Sequence, residues 1–76
     1  MTSTIPALNY KEVARRLRKL GFTLYRQGKG SHEVWRHSDG RWTTIPNHGS
    51  KTISLRTMKS ILDAIGVDGE TFRALK

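Results

Sequence analysis

The chain has 76 residues, 36% of them hydrophobic, and sets 14 Lys and Arg against 6 Asp and Glu, a formal net charge of +8. It has no cysteine, which excludes a disulfide framework and a thiolate metal site, and no apolar run long enough to span a bilayer. A pI near 10.7 implies a positive field that recruits polyanions, nucleic acid first and an acidic protein second. A membrane-surface helix would pair its basic face with large apolar residues, and the first helix has only a narrow apolar stripe. Met1 to Leu8 lacks the basic start and apolar run of a signal peptide. The expectation is therefore one soluble, cytoplasmic domain, residues 1–76, with room for one modest core.

In chain order, Met1 to Ala7 has no periodicity and Pro6 interrupts any early element. Asn9 and Glu12 have the spacing of a capping box, and Leu8 and Val13 that of a hydrophobic staple. Val13, Leu17 and Leu20 mark the apolar face of a helix over Tyr10 to Leu20, with Arg15, Arg16, Arg18 and Lys19 covering much of the rest. Gly21 suits the left-handed position just past its end. Phe22 to Gln27 alternates as a first strand. Gly28-Lys29-Gly30 turns the chain into a second strand, Ser31 to His37, and Asp39-Gly40 is a hairpin signal. A third strand, Arg41 to Ile45, ends at Pro46. Phe22, Leu24, Val34, Thr43 and Ile45 are expected on the helix-facing side of an antiparallel meander, with Trp35 and Trp42 across its open face. After the polar loop Asn47 to Thr52, Ser54 caps a second helix whose Leu55, Met58, Ile61, Leu62 and Ile65 recur at helical spacing. Gly66 stops it. Asp68 caps a last short helix anchored by Phe72 and Leu75.

The turn before the second strand carries the most suggestive chemistry. Glycines free the backbone for positive φ and close approach. Exposed N–H groups there, with the charge of Lys29, suit an anion. Ser31 and His32 follow at once. On these residues alone, however, the turn is also an ordinary hairpin beside a solvated histidine.

The order α-β-β-β-α is that of double-stranded-RNA-binding domains, with a three-stranded antiparallel sheet and helices on one face, which is a fold-level analogy. Particular residues go further. Leu20-Gly21-Phe22, Gly30-Ser31-His32, Asp39-Gly40-Arg41, Ile45-Pro46-Asn47-His48-Gly49 and a helix ending Ile65-Gly66-Val67, in that order, closely resemble the HicA toxins from about Leu8 to Leu75. The resemblance implies a ribosome-independent mRNA interferase silenced by a HicB-like antitoxin, with His32 as its catalytic residue. One departure stands out. The family's second helix usually opens Gly-Thr-Leu-Arg, where this chain has Arg56-Thr57-Met58-Lys59.

Metal-free RNA cleavage needs a base for the 2′-hydroxyl, an acid for the leaving 5′-oxygen and stabilisation of the phosphorane. Histidine serves either proton-transfer role near neutral pH. Arg26, Lys29, Gly30 and Ser31 are the expected RNA-binding residues around His32. His48 and His37 are further histidines that spacing does not place beside it, and each reads as a structural or surface residue. Trp35 and Trp42 read as a cross-strand pair, with base stacking or a protein hot spot as alternatives. The six carboxylates show no clustered ligand spacing, so no metal and no cofactor are expected. The competing function is a non-catalytic RNA-binding module of the same fold.

Overall fold

A computed structural model describes residues 4–75. Lys76 and the first three residues of the unpatterned Met1–Ala7 segment lie outside the described residues. The elements are α1 (Tyr10–Lys19), β1 (Phe22–Gln27), β2 (His32–His37), β3 (Trp42–Pro46), α2 (Leu55–Ile65) and α3 (Gly69–Ala74). The sheet is antiparallel in the order β1-β2-β3, and the fold is α+β as expected.

Each helix begins where its cap dictates. Asn9 Oδ1 accepts from the Glu12 N–H at 3.0 Å and Glu12 Oε1 accepts from the Asn9 N–H at 3.0 Å, completing the capping box. Gly21 follows α1 at φ 95°, and a Cβ there would also lie 2.9 Å from His37 Nε2. Ser54 accepts from the Thr57 N–H at 3.2 Å, so the Arg56–Lys59 departure leaves the start of α2 intact, with Met58 fully buried. Asp68 accepts from the Thr71 N–H at 2.7 Å at the head of α3, which holds its carboxyl below the ordinary carboxylate range.

One hydrophobic cluster joins the layers: Val13 and Leu17 of α1, Phe22, Trp35 and Ile45 of the sheet, four residues of α2, and Phe72 of α3. Leu55 is half exposed and outside it.

The sheet faces differ from expectation in β2. Glu33 and Trp35 point to the helices, at 6% and 1% exposure, whereas His32, Val34 and Arg36 take the other face. Trp35 pairs with Thr43, and Trp42 pairs with Arg36, so the two tryptophans lie on opposite faces and do not form a cross-strand pair. Trp42 is 60% exposed. Leu24 pairs with Trp35 but lies on an edge strand beyond helical cover, and half of it is exposed. Beyond Leu24 the register shifts, so that Arg26 pairs with Val34. This bulge moves Arg26 from the parity of Phe22 to the open face.

A buried carboxylate on the helix side is tolerable only if its oxygens are satisfied. Glu33 Oε1 accepts from Tyr10 Oη at 2.6 Å and Trp35 Nε1 at 3.2 Å, and Oε2 accepts from Asn47 Nδ2 at 3.3 Å. Burial, reinforced by the bond to Glu33, pushes the Tyr10 phenol from 10.0 up to about 12. The folded state thus holds a proton that the unfolded chain has already lost. The stability this contributes is complete below pH 10 and falls as pH rises from about 10 to 12. Tyr10→Phe is expected to remove that segment of the slope, checked by urea unfolding across this pH range in both proteins; identical slopes would exclude the linkage.

Arg16 is the second buried charge and departs from the solvated basic face expected of it. Its guanidinium is 7% exposed with the rest of the residue. Nε donates to Phe72 O at 3.0 Å, Nη2 to Arg73 O at 3.3 Å and Nη1 to Glu12 O at 3.1 Å. The two acceptors on α3 lie near its C-terminal end, where the helix dipole favours a cation. Arg16 therefore ties α3 to α1.

Candidate active site

His32 opens β2 on the open face of the sheet and is exposed. The alternation of β2, which buries Glu33 and Trp35 against the helices, turns His32 outward. The turn before it is held by four hydrogen bonds: Gly28 N–H to His32 O at 2.7 Å, His32 N–H to Lys29 O at 3.0 Å, and Gln27 Nε2 to the carbonyls of Gly30 and His32, both at 3.3 Å. Only Gly30 of the two glycines has positive φ, at 58°. Gly28 is needed for close approach, since a Cβ would meet His32 O at 3.2 Å.

Among the described residues the His32 ring has one partner, Lys29 O, 3.3 Å from Nδ1. A carbonyl accepts and cannot donate, so this contact puts the proton on Nδ1 and leaves the Nε2 lone pair for chemistry.

The structure brings His48 to the same place. Asn47 N–H donates to Ser31 O at 2.8 Å while the Asn47 amide reaches buried Glu33, pinning the loop after β3 against the start of β2. His48 Nε2 then lies 3.1 Å from Ser31 Oγ. His32 and His48 line one open groove of about 560 Å³ together with Pro46, Lys51, Ser54 and Thr57. The positive end of α2 adds to it, and the first turn of α2 holds no acidic residue. Among the described residues no carboxylate lines the groove. Such a site favours anions, because a cation, hydroxyls and a helix N-terminus converge.

The remaining expected residues divide. Lys29, Gly30 and Ser31 stand with His32 in the turn, and Lys29 is exposed. Arg26 does not join them; it lines a separate groove on the open face with Tyr25, Arg36 and Trp42. His37 sits at the far end of β2, roughly 17 Å away by strand rise, edge-on to Phe22 with ring centroids 5.1 Å apart. Lys51, Ser54 and Thr57 were not expected in the site. Among the described residues no three of His, Cys, Asp and Glu gather as metal ligands, and no helix is long and apolar enough to cross a membrane.

A family model described as the HicA toxin of bacterial toxin-antitoxin matches residues 10–67. No curated protein matches the chain. The match takes in the Gly-Ser-His turn, all three strands, the His48 loop and α2. The chain belongs to the HicA toxin family of bacterial toxin–antitoxin systems.

Proposed function

We propose that this toxin is a metal-independent endoribonuclease that cleaves mRNA, with His32 as its proton-transfer group, and that a HicB-like antitoxin silences it in a type II pair. The observation that carries this reading is that His32 and His48 line one groove with Lys51 and, among the described residues, no carboxylate. Nε2 of His32 removes the proton of an RNA 2′-hydroxyl, and the oxygen attacks the adjacent phosphorus. His48 protonates the departing 5′-oxygen. Lys51, Lys29 and the N-terminus of α2 offset the charge gathering on the phosphorane. The products are a 2′,3′-cyclic phosphate and a 5′-hydroxyl. Phosphate contacts position the RNA without reading its bases, in keeping with the net charge of +8.

The groove is open, and no lid among the described residues covers it. Control by a separate protein that occupies it is the economical solution for so small a domain. The test is incubation of the purified protein with an mRNA transcript in EDTA. Cleavage yielding cyclic phosphate ends, suppressed by the antitoxin, is the expected result. Binding without cleavage would identify a non-catalytic RNA-binding module instead.

A further inference from the structure

The open face of the sheet carries a second feature that this chemistry does not use. Trp42 and Tyr25 are 60% and 56% exposed, on a fold whose other tryptophan is buried. Both line a groove of about 370 Å³ with Arg26, Arg36 and Val34 as its floor and sides. The Arg36 guanidinium lies 4.3 Å from the centre of the Tyr25 ring, presenting a second flat, cationic plane. The bulge in β1 delivers Arg26 to the same face. Among the described residues no carboxylate lines this groove, which carries Arg26 and Arg36.

We propose that this groove binds the unpaired bases of single-stranded RNA, with Trp42 and the Arg36–Tyr25 stack as the stacking planes and Arg26 on the phosphates. Aromatic rings and guanidinium planes on an open sheet accept splayed bases because every base has a π-face. A duplex keeps its bases stacked on one another and offers these planes nothing. An acidic protein would satisfy the arginines, but that contact does not call for flat planes beside them as splayed bases do. Position supports the assignment as well. His32 pairs with Pro46 and Arg36 pairs with Trp42 on one continuous face, so the platform lies four ladder positions, about 14 Å, from the imidazole. A single strand laid along this face would place one phosphodiester at His32 and a base a few nucleotides away on Trp42. The substrate class of the proposed ribonuclease is then unpaired mRNA, and the inference rests on that reading for the register between base and scissile phosphate.

The experiment uses His32→Ala protein, so that RNA stays intact, and follows Trp42 emission while a short single-stranded oligoribonucleotide is added. Quenching is expected. Trp42→Ala should weaken binding about tenfold, and Trp42→Phe should restore most of it. Trp42→Ala should matter little for the matching duplex or for an abasic oligomer. Unchanged affinity of Trp42→Ala for the single strand would overturn the proposal. So would a Trp42 dependence shared equally by the duplex, or one seen only in binding to the antitoxin. Failure here with His32-dependent cleavage intact would remove the stacking site alone. Trp42-dependent binding by a wild-type protein that cuts no RNA would remove the ribonuclease reading and leave the stacking site standing.

Discussion

Replacing His32 with alanine is expected to reduce mRNA cleavage by about 10²–10⁴-fold, the usual worth of a positioned acid–base group. No other side chain near the turn can take its part. Lys29 and Lys51 carry protons at neutral pH. Ser31 lies 3.1 Å from His48 Nε2, but its hydroxyl is far too weak a base to hold the proton that His32 would take, and His48 has its own proposed role in the groove. The fold should survive the change, because the ring is exposed and, among the described residues, its one hydrogen-bond partner is Lys29 O. RNA affinity should fall only modestly, since the lysines and arginines carry most of it. Comparing cleavage rate, RNA binding and thermal melting of the two proteins separates these effects. A folded variant cutting at the wild-type rate would exclude His32 from the mechanism, and a variant that failed to fold would make it a structural residue.

Trp35→Ala is expected to be the most damaging single truncation in the core, at about 3–5 kcal/mol. The indole is 1% exposed, its Nε1 donates to Glu33, and the Arg18 guanidinium sits 5.0 Å from its ring centre. Removing it leaves a cavity between sheet and helices and takes a donor from a buried carboxylate. Domains of this kind hold only about 5–15 kcal/mol in total, so the variant should be near the edge of folding. Trp42→Ala, on the open face, should change stability by about 0.5 kcal/mol or less. Urea unfolding of both variants checks the contrast, and equal losses would mean that the two faces are assigned wrongly.

That contrast also marks where the sequence was hard to read. Caps, glycine stops and turn residues placed every helix and strand to within a residue or so, because each acts locally. The facing of β2 is not local. Glu33-Val34-Trp35 offers an apolar residue to either face, and the acid argues for putting Glu33 and Trp35 outward. Three donors from α1, β2 and the loop after β3 reverse that preference, and all three are visible only once the chain is folded. Arg16 misled in the same way, its carbonyl acceptors being supplied by a distant helix. The bulge that brings Arg26 to the open face has no distinct signal in Thr23-Leu24-Tyr25. His48 was more accessible than its reading suggested. Folding the hairpin about Asp39-Gly40 pairs the start of β2 with the residues just after Ile45, so His48 had to emerge close to His32. The observed ladder, with His32 opposite Pro46, differs from that count by one residue.

The tie between Arg16 and α3 sets the order in which a ribosome can deliver a finished toxin. The guanidinium and its acceptors are 56 and 57 positions apart, which translation at ordinary speeds covers in about 3–11 s. Until Phe72 and Arg73 have been added, Arg16 has only the Glu12 carbonyl of its own helix as acceptor, and burying it costs the two remaining bonds. The nascent chain thus passes most of its synthesis without the contact that ties its last helix to its first. A product cut short before α3 lacks the acceptors at Phe72 and Arg73 and the apolar anchor of Phe72, so it must hold its first helix by other contacts.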